Sequence, residues 1–405
     1  MPHHKGTVGI LTGGGDTCAL NKSIETIKDI AYLLDYRVYG IYGGWKGLQG
    51  DGYVINITEQ DVNGNIGGSI LGSSRTNPYK KDATGNDNVD EVLANIKRYG
   101  IDIIISIGGD DTNSVSQRLY KEHGIKVIGF PKTIDNDLRT RTMHTLTDGT
   151  EIEASLCPGF PTAADKIIHM TANLHTTAMT HNRIFVVEIM GRDAGWLPAT
   201  SILGGADMVL IPEIEMTKSR IEDFMSYVEE KYKDRQSLII GVSEGVRWWN
   251  DTTNACDLVK ASQELDSFGH PRLGGIAAHI ANEINNRKIA DARSQVAGYV
   301  PRSGYASEYD KMLSTSLGQM VLKMILKEQY GHMPTMARVV NFRQLETYNA
   351  HTIPLDDIGN KGFDAKHYYD AARFNVNANF KDFIKRIAFR EPTLPKKIDY
   401  TKIVP

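Results

Sequence analysis

At 405 residues, with 41% hydrophobic and 23% charged residues, the chain is long enough for two buried cores and is neither disordered nor fibrous in composition. A net charge of -3 gives no general attraction for nucleic acid or an anionic membrane, so an anion site has to be built locally. Cys18, Cys157 and Cys256 lack disulfide or zinc spacing, and no apolar run has signal-peptide or bilayer-spanning length, so a cytoplasmic protein is expected.

His3 and His4, beside the terminus, read as solvated side chains rather than metal ligands. From there short β-rich runs alternate with longer stretches of helical period. A strand is predicted at Thr7 to Thr12, then a glycine turn and a helix from about Asn21 to Leu34. Further strands are expected at Val38 to Tyr42, Asp102 to Ile107, Lys126 to Phe130, Arg183 to Glu188, Met208 to Ile211, Ser237 to Val242 and Gln295 to Tyr299. The helices expected between them include Asn113 to Glu122, Ala163 to His181, Lys218 to Tyr232, Leu273 to Asn286 and Tyr309 to Lys327. Most of the strands are apolar throughout, as when a parallel sheet is covered on both faces, so the fold class is α/β. Arg139 to Pro158, weakly periodic and rich in Thr, Asp and Gly, reads as a long loop or small insertion.

Two glycine clusters end strands just ahead of helices, Thr12-Gly13-Gly14-Gly15-Asp16 and Gly108-Gly109-Asp110-Asp111-Thr112. Both suit phosphate, because glycine lets backbone N–H groups approach an oxyanion and the following helix start adds positive charge. Asp110 is a candidate ligand for Mg2+ that bridges phosphate oxygens. Helix capping is the competing reading for Asp110, Asp111 and Thr112. Pro131-Lys132-Thr133-Ile134-Asp135-Asn136-Asp137 follows another strand end, where open α/β sheets place their sites. Its two carboxylates and lysine supply a base and a charge clamp, as phosphoryl transfer to a hydroxyl requires.

Together with Met190-Gly191-Arg192-Asp193-Ala194-Gly195, this ordered set resembles the phosphofructokinase family. The resemblance runs from Gly9 to about Asp357, through Leu71-Gly72-Ser73-Ser74-Arg75, Ile211-Pro212-Glu213 and Ser243-Glu244-Gly245; beyond about Gly359 nothing matches. It implies two Rossmann-like three-layer domains with mainly parallel sheets and the active site in the cleft between them. Residues 1–146 with about 301–350 would handle the phosphoryl donor, and 147–300 with about 351–405 the sugar phosphate. The substrate implied is fructose 6-phosphate, phosphorylated at C1 in a homodimer or homotetramer that needs Mg2+ and binds neither nucleic acid nor membrane.

Residue by residue, the resemblance makes Asp135 the proton acceptor, with Asp137 supporting it near Mg2+ and Thr133 touching the sugar or the moving phosphoryl group. Gly14, Gly15 and Arg75 would bind the diphosphate. Met190, Gly191 and Arg192 would hold the sugar and reacting phosphates, and Glu244 the sugar hydroxyls. Arg183 and Arg293 match positions that reach the sugar 6-phosphate from a neighbouring subunit, while Tyr299 and Arg302 match the same-chain side of that pocket.

Asp111 stands where ATP-using relatives usually have glycine, and its charge and bulk near the α-phosphate favour pyrophosphate over a nucleotide. Lys132, replacing a glycine of bacterial ATP enzymes, would stabilise the bridging and leaving oxygens. Glu25 and Asp29 occupy positions where nucleotide-regulated relatives have arginines, so control of that type is not expected. The resemblance further implies a readily reversible reaction. Arg139 to Pro158 is longer than in the family and bears on sugar length, since relatives also accept sedoheptulose 7-phosphate; Ala255 to Asn286 resembles an insertion of longer pyrophosphate-type members.

Overall fold

The computed structural model describes residues 4–82, 84–141, 144–145, 151–265, 271–340, 346–386 and 394. The chain forms two compact units, Met1–Ala163 with Arg302–Lys361, and Ala164–Pro301 with Gly362–Pro405. Residues 147–163 and 351–361, expected with the second part, belong to the first unit. Strand pairing is the reason: Glu151–Leu156 lies antiparallel to His332–Val340, and Ile358–Asn360 antiparallel to Leu138–Thr140.

The first unit is built on a mixed sheet of nine strands among the described residues, parallel at its centre. Gly6–Thr12 lies between Tyr36–Ile41 and Ile103–Gly108, and Val127–Pro131 follows, all parallel. His332–Val340 then pairs with Val127–Pro131 and turns into an antiparallel hairpin with Glu346–Pro354. The central strands are apolar on both faces because helices cover both, so Val8, Ile10, Leu11, Ile105 and Ile107 are all buried. Ser307 caps the helix Glu308–Leu326 by accepting the Asp310 N–H. Asp310 itself is fully buried, accepting the N–H groups of Gly159 at 2.8 Å and Thr162 at 3.3 Å and the Thr162 hydroxyl at 2.6 Å. It thereby satisfies the first turn of the helix Phe160–His181, whose opening donors have no partner within the helix.

The second unit carries a four-stranded parallel sheet in the order Met208–Leu210, Leu238–Ser243, Arg183–Ile189, Asp291–Val296. Ile184, Val186, Leu238 and Ile240 pack with Phe224, Trp248 and Ile280 of the flanking elements. The fold class is α/β, as the sequence indicates, with a parallel sheet in the second unit and a mixed sheet with parallel central strands in the first.

Several boundaries differ from expectation. The last strand of the second sheet is Asp291–Val296 rather than Gln295 to Tyr299, since an edge strand needs no apolar run and Gly298 (φ 54°) turns the chain after it. Leu273 ends a strand, Pro271–Leu273, and the helix starts only at Ile276, because Gly274 and Gly275 have positive φ. Within 139–158, Leu138–Thr140, His144–Thr145 and Glu151–Leu156 are strands, so the stretch extends the sheet rather than forming a loop throughout. Within the stretch Ala255 to Asn286, residues 266–270 lie outside the described residues, as does His3. Among the described residues no helix is long and apolar enough to cross a membrane.

Candidate active site

In the first unit the site is assembled from the carboxyl ends of three parallel strands, where backbone direction changes and side chains leave the core. After Gly6–Thr12, Gly13 pairs with Ser74, and Gly14 donates its N–H to the Ser74 carbonyl at 3.0 Å. The Ser73 hydroxyl donates to the Gly14 carbonyl at 2.6 Å. These bonds fasten the first glycine loop to Leu71–Arg75 and leave Arg75 exposed beside it. Gly14 has φ 80°, a left-handed conformation open to glycine at little cost.

Lys132 lies at the end of Val127–Pro131 and is buried, 4% exposed. Its Nζ donates to the Gly15 carbonyl at 2.5 Å, and the Arg302 guanidinium lies against the same glycine, close enough that a Cβ there would displace it. Arg302 also reaches Asp16 at 4.0 Å. Burial, reinforced by the positive charges of Arg302 and Arg75, pushes the Lys132 ammonium down to about 8. A lysine, two arginines and a glycine loop thus lie together, with Asp16 and Asp137 also acting on the lysine. Arg302 therefore stands with the glycine loop, whereas the resemblance places it with the sugar 6-phosphate.

The second glycine loop carries the opposite charge. The helix runs from Asp110 to His123 with Gly109 as its N-cap, three residues earlier than expected, and no side chain caps it. The capping reading of Asp110, Asp111 and Thr112 is thereby removed. Asp110 is half-buried and its carboxyl is raised by burial first, then by the charges of Asp111 and Asp137, with Arg141 opposing. Asp111 is exposed in the first helical turn. Thr112 is wedged against Gly13 and Gly108, and its carbonyl accepts the Trp45 indole N–H at 3.2 Å, so both glycine loops share one support.

Thr133 to Asp137 form a tight turn. The Thr133 hydroxyl accepts the Asp135 N–H at 3.0 Å and donates to Asp137 at 2.9 Å. Asn136, between the two carboxylates, has φ 51°; its side chain donates to the Ser155 carbonyl at 3.0 Å and accepts the Cys157 N–H at 3.1 Å. Buried and left-handed, it fixes the turn from which Asp135 and Asp137 project. Sequence reading assigned it no role, although Asn is the residue type, after Gly, most tolerant of that conformation.

In the second unit Glu244 donates its N–H to the Ile189 carbonyl at 2.9 Å, which sets Met190 and Glu244 side by side at the ends of adjacent strands. Gly191 is buried and accepts a bond from the Ser243 hydroxyl, while Gly245 packs on the Arg192 backbone. Arg183 and Arg293 instead meet at the other end of the sheet. Both reach Asp291, Arg183 Nε at 2.6 Å and Arg293 at 3.1 Å, and hydrogen bonding from Arg183 holds the Asp291 carboxyl low. Arg183 lies seven residues along its strand from Met190, roughly 23 Å, and Arg293, in register with Phe185, lies five, roughly 17 Å. Tyr299 is exposed, at 76%.

Residues 7–325 match the family described as Phosphofructokinase. The chain belongs to the phosphofructokinase family. The pyrophosphate–fructose 6-phosphate 1-phosphotransferase of Streptomyces coelicolor is 37% identical over 331 residues, which cover 80% of this chain and 89% of the relative. The ATP-dependent 6-phosphofructokinase 2 of Clostridium perfringens is 36% identical over 367 residues, covering 87% of this chain and 94% of the relative. A solved structure of a pyrophosphate-dependent phosphofructokinase from Nitrosospira multiformis superposes with a TM-score of 0.75 at 21% identity, covering 96% of this chain and 94% of that one, which supports the fold.

Whether the first unit fits Mg2+ is a question of donor chemistry. Among the described residues no three His, Cys, Asp or Glu side chains gather to cage a metal on their own. Asp110, raised by burial and by two neighbouring carboxylates, is nevertheless suited to an ion that brings phosphate and water as its other ligands.

Proposed function

We propose that this phosphofructokinase moves a phosphoryl group from pyrophosphate to the C1 hydroxyl of fructose 6-phosphate, giving fructose 1,6-bisphosphate and phosphate in a reversible, glycolytic or gluconeogenic step. The observation that carries the choice of donor is Asp111, an exposed carboxylate in the first turn of Asp110–His123 whose charge is already felt by Asp110. A nucleotide whose chain continues past the second phosphate would bring its α-phosphate against this charge; pyrophosphate ends before it.

In this reading Gly14, Gly15, Arg75, Lys132 and Arg302 hold the diphosphate, the cations neutralising its oxygens. Asp135 accepts the C1 proton, the freed oxygen attacks the terminal phosphorus, and the bond to the bridging oxygen breaks, releasing phosphate. Lys132, donating from a buried position, stabilises the charge that grows on that leaving oxygen. Mg2+, held by Asp110 with Asp137 near it, would supply charge neutralisation between the two phosphoryl groups. Met190, Gly191, Arg192, Glu244 and Tyr299 hold the sugar phosphate, with Thr133 at the reacting group. Arg183 and Arg293, at the far end of their strands from Met190, fit a role toward the sugar 6-phosphate of a neighbouring subunit in a homo-oligomer.

The deciding experiment supplies fructose 6-phosphate and Mg2+ with pyrophosphate or ATP at equal concentration. Turnover with pyrophosphate alone is expected. Turnover with ATP alone would keep the family and overturn the donor; silence with both would point to another sugar or a regulatory subunit.

A further inference from the structure

The Met190–Gly195 loop is gripped from two sides, and one grip comes from a part of the chain beyond the residues that match the family. Gly191 and Arg192 are held from the end of Leu238–Ser243, as described above. On the other side Glu213, in the turn after Met208–Leu210, accepts the Gly195 N–H at 2.9 Å and the Phe363 N–H at 2.6 Å on one carboxylate oxygen. Its second oxygen is buried with no hydrogen-bond partner among the described residues. A Cβ at Gly195 would stand 2.7 Å from that oxygen, so only glycine lets the loop come this close.

Gly362 faces the Asp193 carbonyl and Glu213, and the Phe363 ring meets Trp196 edge-on at 5.0 Å between centroids. Tyr368 and Phe383 complete the apolar nest around Trp196, at 5.5 and 5.7 Å. Trp196, 1% exposed, opens the short helix that follows the loop directly. The loop is therefore fixed by a carboxylate at Gly195, which also holds the Phe363 N–H, and by an aromatic socket at Trp196 formed by residues after 361.

We propose that Glu213 is a positioning residue that ties the segment following Lys361 to the Met190–Gly195 loop, so that affinity for the acceptor sugar phosphate depends on a segment outside the catalytic motifs. This rests on the reading above in which Met190, Gly191 and Arg192 hold the sugar. Burial raises the Glu213 carboxyl above the usual range, as expected where two N–H groups do not fully replace lost water.

The test is calorimetric titration of fructose 6-phosphate into the full chain and its variants, with initial rates for both substrates. Glu213→Ala leaves two buried N–H groups without their acceptor, and the sugar Kd and KM are expected to rise about ten- to hundredfold while the pyrophosphate KM stays within about twofold. Glu213→Gln, whose amide oxygen accepts the same bonds, is expected to restore the sugar Kd to within about threefold of the parent. Should Glu213→Ala not fold, Phe363→Leu replaces it: it keeps the Phe363 N–H and Glu213 but opens the aromatic socket around Trp196, and the sugar Kd is expected to rise about tenfold while the pyrophosphate KM stays within about twofold. An unchanged sugar Kd in Glu213→Ala, or in Phe363→Leu where it stands in, or equal losses for both substrates, would overturn the inference. A parent that binds no fructose 6-phosphate would overturn the underlying reading instead.

Discussion

The two units place functional residues alike, at the carboxyl ends of parallel strands, but hold their charges differently. In the first, Lys132 and Asp110 are titratable groups drawn into partly dry positions at the strand ends, and the proposed chemistry falls to them. In the second, Glu213 is a confined carboxylate whose partners are backbone N–H groups, as is Glu188. The difference teaches that burial of charge can serve reactivity, as proposed for Lys132 and Asp110, or shape, as at Glu213 and, within the first unit, at Asp310. Lys132 has two arginines as well as two carboxylates near it, while one oxygen of Glu213 is engaged by two backbone N–H groups.

The contrast can be broken hardest at Asp135. Asp135→Asn is expected to lower kcat by about 10²- to 10⁴-fold, the usual worth of a general base, with fructose 6-phosphate affinity by calorimetry unchanged. A near-normal kcat would remove Asp135 from the reaction. Next comes Lys132→Met, which keeps the stem and removes the charge; kcat/KM for pyrophosphate should fall about 10²- to 10³-fold while the sugar Kd stays within about twofold. Equal losses on both substrates would show that the first unit uses this buried charge for shape as well.

The pH dependence sharpens the comparison further. Lys132 loses its proton near 8 in the folded chain and near 10.5 when unfolded. Kcat/KM for pyrophosphate should therefore bend downward above about 8, by about tenfold per pH unit, and Lys132→Met should lack the bend. Stability moves the other way: between these values the unfolded chain binds the extra proton, so this group's contribution to stability rises with pH. Activity and urea midpoint diverging from pH 8 to 9 in the parent is the expected signature; parallel changes would contradict it. The smallest effect is expected at Asp111→Gly, which should raise the ratio of ATP to pyrophosphate use by about tenfold by removing one repelling charge. No gain would leave donor choice to another residue.

Much of this was legible in advance where one residue type answers one local demand. The apolar runs at Thr7 to Thr12 and Asp102 to Ile107 lie within a residue of the observed strands, because strands covered on both faces announce themselves. Lys132 and Gly15, 117 positions apart, were both singled out from their motifs, and the structure joins them. The edge strand Asp291–Val296 stayed hidden because its polar residues face outward, and the helix Val89–Arg98 because it buries only Val89, Val92, Asn95 and Ile96. Asn136 and Glu213 were quoted within motifs, yet their roles depend on residues 157 and 363, which no local spacing reveals. For the same reason the contact between Arg302 and Gly15, 287 positions apart, could not be read from their motifs.

The discontinuous build of both units has a consequence for how the chain matures. His332–Val340 is inserted between Val127–Pro131 and Glu151–Leu156, so the first sheet carries a gap with two raw edges until more than three quarters of the chain has been made. The second unit waits longer, since Phe374 fills its core and Phe363 closes over Trp196. Such edges and uncovered aromatics invite pairing between nascent chains. A ribosome that stalls after Pro301 would leave both units unfinished, and shielding of the emerging polypeptide would decide the yield of active protein.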